Sequence, residues 1–143
     1  MKSIESIKKF HFSIGGYFAT KFDVLITDNK ASYCAHLFNI DFATRQEIAI
    51  SKDQMELFLS ELNQLNIIGW DNEYHNPLVF DGVQWELEIT YNKTNSKKIY
   101  GSNMYPNSEP NSVETSPVFD KLLNAIKKLI QEPLFFSDEF ISD

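Results

Sequence analysis

Residues 84–91 of this chain are Gln-Trp-Glu-Leu-Glu-Ile-Thr-Tyr, and they decide its fold class. Apolar and polar side chains alternate strictly along this stretch, which predicts a β-strand with one covered face and one exposed face. A turn at residues 92–96 returns the chain to a second strand at 97–102. We expect Ile99 to lie on the apolar face of this hairpin, because a slip of one residue would reverse every side chain.

The polar face of the same hairpin carries charged residues of both signs. The expected register places Lys98 and Tyr100 on the face of Glu86 and Glu88. Opposite charges that face each other across neighbouring strands stabilise a sheet. We therefore predict a charged surface on this side of the hairpin.

Strand patterns also occupy the amino-terminal part of the chain. The segment at residues 10–18 begins with a strand-like alternation that Gly15-Gly16 interrupts, and two β-like runs at 21–28 and 31–38 are separated by Asn29-Lys30. Asp and Asn tolerate positive φ, so these two runs predict a tight hairpin. A less regular stretch at residues 46–50 is a candidate for a further short strand.

Two helices are predicted by their caps and by their apolar periodicity. Ser51 and Gln54 have the spacing of a capping box, and Ser116 followed by Pro117 is typical of a second helix start. Pro133 should stop the second helix. The apolar face of the first helix comprises Met55, Phe58, Leu59, Leu62 and Leu65, and that of the second comprises Phe119, Leu122, Leu123, Ile126, Leu129 and Ile130.

Together these elements predict one α+β domain over residues 1–143. The expected order is βββαββα, with a mostly antiparallel sheet of about five strands and two helices packed on one face. A chain of 143 residues can bury a core without metals or disulfides.

Charge and composition limit the classes of partner. The formal net charge is −7, which disfavours nucleic-acid binding because such binding relies on Lys and Arg. The single cysteine, Cys34, cannot form an internal disulfide, and no signal-peptide pattern or membrane-spanning run is present. We expect a cytoplasmic protein that neither enters a membrane nor requires a cofactor.

The central third of the chain carries the pattern W…DGxxWxLxI…YGSNxYP. It resembles a group of small bacterial proteins and lipoprotein domains of uncharacterised function, in which a "DG" turn opens a strand bearing Trp or Phe. No activity is established for that group, so the resemblance implies a fold and no chemistry. The residues that carry the pattern are Trp70, Asp81, Gly82, Trp85, Leu87, Ile89, Gly101, Asn103, Tyr105 and Pro106.

Three sets of residues have the types of side chain that metal sites and catalytic sites use. Asp71, Glu73 and His75 alternate and could meet a divalent cation, but three polar side chains in a polar loop are normally solvated. Glu86 and Glu88 could act as an acid–base pair only if one carboxyl group were buried. We therefore expect no metal site and no catalytic carboxylates.

The third set is Cys34 and His36, which share one face of a predicted strand. A nucleophile beside a base is the minimum for covalent catalysis. A lone cysteine on a strand is more often a small core residue, and no catalytic cysteine signature surrounds it. We therefore lean against an enzyme.

The aromatic residues of the middle region suggest a binding surface. We expect Trp85 to be a core residue and Trp70 to pack against the sheet, whereas Tyr100 and Tyr105 should be exposed near the 101–103 loop. Tyrosines flanked by carboxylates are suited to protein recognition. The predicted binding residues are Glu73, Tyr74, Glu86, Glu88, Tyr100, Asn103 and Tyr105.

These residues favour a non-enzymatic binding protein, such as an immunity or antitoxin-like protein that neutralises a basic effector. The alternative is a small-molecule-binding domain, or an enzyme of unknown type, with a pocket near residues 70–75 and 101–105. A third interpretation is a component of an assembly, with the Phe135-Phe136 tail as its contact. An uncovered edge strand would also permit a homodimer.

Overall fold

The architecture is a single mixed β-sheet with two α-helices. It comes from a computed structural model that describes residues 3–16, 21–36, 46–75, 83–102, 104–106 and 116–130. Within these ranges the strand order is β4-β3-β2-β1-β6-β7-β5, and all neighbours are antiparallel except β5 and β7. The strands are β1 Ile7–Gly16, β2 Lys21–Thr27, β3 Lys30–His36, β4 Gln46–Ala49, β5 Glu73–His75, β6 Val83–Tyr91 and β7 Asn95–Ser102, and the helices are α1 Lys52–Gln64 and α2 Pro117–Ile130.

The two predicted hairpins are present, and left-handed residues close both. Asp28 and Asn29 join β2 to β3 with φ angles of 50° and 62°, and Asn92 and Lys93 begin the β6–β7 turn with φ angles of 49° and 75°. Ile99 pairs with Leu87 and therefore lies on the apolar face, as the sequence predicts. The side chain of Ile99 is fully buried, which confirms the expected register.

Both helices cover the same face of the sheet. Phe10 of β1 contacts Phe58 of α1 with ring centroids 5.2 Å apart, and Phe12 contacts Phe119 of α2 at 6.2 Å. Residues two apart in a strand point to the same side, so the two helices lie on one side of β1. This confirms the predicted layer arrangement.

The predicted helix starts are also confirmed. The Ser51 backbone N–H donates to Gln54 Oε1 at 2.8 Å, and the Gln54 N–H donates to Ser51 Oγ at 3.1 Å, which completes the capping box. Ser116 Oγ accepts a hydrogen bond from the Phe119 N–H at 3.2 Å. The predicted apolar face of α2 is buried along its whole length. Neither described helix is long and apolar enough to cross a membrane.

The expectation of about five strands in the order βββαββα is wrong in strand number. The described residues form seven strands, because the stretch at residues 46–49 is a true strand and residues 73–75 form another. The sequence places residues 73–75 in a polar loop, since three residues are too few to show a period. Their parallel pairing with β7 is a long-range contact that the local sequence does not encode. The predicted end of α2 at Pro133 and the Phe135-Phe136 tail lie outside the described residues.

Candidate functional site

The face of the sheet opposite the helices brings three predicted binding residues into one row. Glu73 of β5 lies directly opposite Tyr100 of β7, and Tyr100 lies opposite Glu86 of β6. Neighbouring strands are about 4.8 Å apart, and side chains of directly opposed residues lie on the same side of the sheet. Glu73 and Glu86 are exposed, and Tyr100 is half-buried between them. We call these three residues the acidic row.

The neighbouring part of this face holds charges that compensate one another. Lys9 Nζ lies 3.2 Å from Glu88 Oε1, and both side chains are about two-fifths exposed. His11 Nε2 lies 2.7 Å from Asp23 Oδ2, so an ion pair forms when the imidazole is protonated. Both contacts cross neighbouring strands of the sheet centre. Glu88 therefore belongs to the predicted binding face, but its charge is already paired.

The acidic row differs from this central part in its electrostatics. Among the described residues, neither Glu73 nor Glu86 has an ion-pair partner. Two carboxylates without an ion-pair partner therefore flank a phenol ring at one end of the sheet, and Lys98 lies on the same face opposite Glu88. Such a surface attracts cationic groups, and an aromatic ring can add a cation–π contact to them.

Two other predicted binding residues lie on the opposite side of the sheet. Tyr74 is 9% exposed and Tyr105 is 1% exposed, so the expectation that Tyr105 is exposed is wrong. Both rings stack on Trp85, with centroids 5.9 Å and 6.3 Å away. Phe119 of α2 packs against Trp85 and Tyr105 at 4.7 Å and 4.6 Å. These tyrosines therefore belong to an aromatic core and not to the acidic row.

Two polar atoms of this aromatic core have hydrogen-bond partners within the described residues. Trp85 Nε1 donates to the Met104 carbonyl oxygen at 3.0 Å, and the Asp71 N–H donates to the Tyr74 hydroxyl at 2.9 Å. Burial raises the pKa of Tyr74, and burial together with the nearby charge of Asp120 raises the pKa of Tyr105 to about 12. Both phenols are accordingly neutral packing groups at physiological pH.

Trp70 and Trp85 occupy the positions that the sequence predicts. Trp85 is 1% exposed and lies at the centre of the aromatic core. Trp70 contacts it edge-on at 6.5 Å and donates from Nε1 to the Leu65 carbonyl oxygen at 3.0 Å. Trp70, Trp85 and Tyr105 of the sequence pattern thus have packing roles.

Gly101 allows Trp85 to approach the backbone of β7. A Cβ atom at position 101 would lie 2.0 Å from Trp85 Nε1, a distance that no real side chain tolerates. Glycine inside a strand often marks such a close approach of another group. The glycine of the sequence pattern therefore has a packing role.

The segments of the predicted small-molecule pocket are neighbours, because β5 pairs with the end of β7. Tyr74 and Tyr105 of these segments stack on Trp85. A cleft between α1 and α2, lined by Leu57, Phe58 and Leu129, has a volume of about 40 Å³. Pockets for metabolites typically measure about 300–1,000 Å³, so this cleft is too small for one.

Within the described parts of the chain the remaining candidate residues form no metal-binding group. Glu73 and His75 are both exposed in β5, but no cluster of three or more His, Cys, Asp or Glu side chains occurs there. Cys34 is 5% exposed in β3. Asn103, the Asp81-Gly82 turn and the side chain of His36 lie outside what the structure describes.

Sequence reasoning missed that Lys9, His11 and Asp23 share the face of Glu86 and Glu88. The alternation in β1 and β2 already places these residues on polar faces. The missing information is that β1 lies directly beside β6, with His11 opposite Glu88. That pairing joins residues almost eighty positions apart, and no local pattern reveals it.

Comparison with known proteins adds no family to this geometry. No protein-family model matches the sequence, and neither does any curated protein.

Proposed function

We propose that this chain is a non-enzymatic protein-binding module that uses the acidic row to bind a basic protein. In its most concrete form it is a small immunity or antitoxin-like protein that neutralises a basic effector. One observation carries the proposal: Glu73 and Glu86 flank Tyr100 in register, are exposed, and have no ion-pair partner among the described residues.

The chemistry of the row favours a partner with Arg or Lys at its contact surface. A guanidinium group can stack on the face of a phenol ring while it donates hydrogen bonds to a carboxylate. Each carboxylate of the row would gain a charge-assisted hydrogen bond without losing an existing partner. The net charge of −7 would also accelerate encounter with a basic protein at low salt.

The test uses matched charge reversals on the same face. Glu47 of β4 is exposed and lies at the opposite edge of the sheet, on the same side as the acidic row. Directly opposed residues connect it across the sheet in the order Glu47, Ser32, Leu25, His11 and Glu88. Tagged wild type, Glu86→Lys and Glu47→Lys are used to capture partners from the native cells at low and moderate salt. Mass spectrometry then quantifies each captured protein.

We expect a basic protein to be captured by wild type and by Glu47→Lys, and to be reduced at least about tenfold by Glu86→Lys, because a charge reversal places like charges together. Moderate salt should weaken the capture by screening. A partner that is captured equally by all three proteins, or lost equally by both variants, would contradict the proposal.

A further inference from the structure

The outer edge of β5 has backbone groups that point away from the sheet. The Tyr100 N–H donates to the Asn72 carbonyl oxygen at 2.9 Å, and Glu73 is in register with Tyr100. Backbone groups of successive residues in a strand point to alternate sides, so the N–H and C=O groups of Glu73 and His75 face outward. Within the described ranges the sheet ends at β5 on this side.

The same edge borders the acidic row. Glu73 and His75 are exposed, whereas Tyr74 between them is buried in the aromatic core. A strand added beside β5 would therefore extend the sheet, and every second side chain of that strand would lie on the open face. Those side chains would lie next to Glu73, and their charges would be within about two strand spacings of Tyr100.

We propose that β5 receives an extended basic segment of the partner as an additional strand, with its Arg or Lys side chains directed to the acidic row. This inference rests on the proposed function and specifies how the partner binds. Main-chain hydrogen bonds to Glu73 and His75 would supply affinity, and the alternate basic side chains would supply specificity, as in other cases of strand addition.

The opposite edge of the sheet fits such a segment less well. Strand β4 contains one acidic residue, Glu47, and the end of the strand pairs with Lys30 of β3. Among the residues that the structure describes, this edge has no counterpart of the two carboxylates around Tyr100. Charge complementarity therefore selects the β5 edge for a basic strand.

The experiment uses three synthetic peptides with the full chain. The first has seven residues in which arginine and valine alternate, the second has the same composition with all arginines before all valines, and the third is the alternating peptide with N-methyl groups on every second residue. Binding is measured at low salt by titration calorimetry. Hydrogen exchange of the Glu73 and His75 amides is followed by nuclear magnetic resonance with and without peptide.

We expect the alternating peptide to bind at least about tenfold more tightly than the block peptide, because alternation places every arginine on the same side of an added strand. It should also bind at least about tenfold more tightly than the N-methylated peptide, because each lost hydrogen bond costs affinity. The Glu73 and His75 amides should exchange freely in the chain alone and become protected with the alternating peptide. Glu73→Lys should weaken binding of this peptide, because Glu73 lies beside the added strand, and Glu47→Lys should not.

Several results would overturn the strand-addition proposal. Protection of both amides in the chain alone would show that the edge is already occupied. Equal binding of the three peptides, or binding without new protection, would show attraction to the face without strand addition; if partner capture still depends on Glu86, the proposed function then stands. Absence of peptide binding, together with capture that is insensitive to Glu86→Lys, would contradict both proposals.

Discussion

Strand β6 contributes Trp85, Leu87 and Ile89 to the helix-covered side of the sheet, and Glu86 and Glu88 to the open side. On the covered side each of the three apolar residues is at most 1% exposed. On the open side the residues meet only neighbouring strands and solvent within the described parts of the chain. The close packing of the covered side constrains the size and shape of every residue there. On the open side mainly the charge and the position of the residues are constrained.

This difference separates stability from recognition within one strand. Aromatic residues suggest binding when only the sequence is known, because Trp and Tyr are common in interfaces. Here Tyr74 and Tyr105 are held in the core, and of the tyrosines that the structure describes only Tyr100 reaches the open side. The composition of a segment therefore does not distinguish the two roles, but the face on which each residue lies does.

The largest predicted effect is a loss of stability from disrupted packing on the covered side. Gly101→Ala would place a methyl group 2.0 Å from Trp85 Nε1, so the indole must move and lose its hydrogen bond to Met104. Overpacking and a lost buried hydrogen bond together should reduce the free energy of unfolding by at least about 3 kcal/mol. Urea denaturation measures the change.

Gly69→Ala is the matched control for Gly101→Ala. Its added methyl group would meet the side chain of Asn66, with Nδ2 at 2.5 Å, and that flexible side chain can rotate away. We expect a loss of less than about 1 kcal/mol, similar to ordinary substitutions outside the core. Equal losses for both variants would show that the contact between Gly101 and Trp85 does not limit stability.

The second prediction concerns the pH dependence of the covered side. Tyr105 has its pKa raised to about 12 in the folded chain, against 10.0 as the ordinary value. Below pH 10 the phenol is neutral in both states and its stabilising effect is complete. As the pH rises from 10 to 12 the unfolded chain releases the proton first, so about 2–3 kcal/mol of stability should be lost.

Tyr105→Phe isolates this effect from other groups that titrate in alkali. The free energy of unfolding of wild type and variant is measured by urea denaturation between pH 9 and pH 12. The difference between the two proteins should change in favour of the variant as the pH rises. A difference that is constant over this range would show that Tyr105 titrates normally in the folded chain.

The smallest predicted effect belongs to the open side. A double-mutant cycle with Lys9→Ala and Glu88→Ala should give a coupling energy below about 1 kcal/mol, because both side chains are well exposed. Added salt should reduce the coupling further. A coupling above about 2 kcal/mol would show that the open side also fixes the fold, and would remove the contrast between the two sides.

Much of the local structure could be predicted from particular residues. Ser51 and Gln54 indicated the start of α1, and both hydrogen bonds of the capping box are present. The alternation from Gln84 to Tyr91 predicted β6 and the register of its hairpin. These features depend on residues within a few positions of one another, and their signals are therefore contained in short windows of sequence.

The candidate site was predictable only in part. Alternation placed Glu86, Glu88 and Tyr100 on one face correctly, because hairpin register is local. Glu73 joins them only through the parallel pairing of β5 with β7, and Lys9 reaches Glu88 only because β1 lies beside β6. The burial of Tyr105 depends on Phe119 of α2, which follows it by fourteen positions.

The sequence by itself determined the α+β class, the starts of both helices and the two faces of β6. Helix caps and hydrophobic periodicity depend on residues that are close to one another in the sequence. The tertiary structure decided the strand order, the existence of β5 and the division of the tyrosines between core and surface. Those features arise from contacts between distant segments, and such contacts form only where the whole sheet and its helix layer bury a common apolar face.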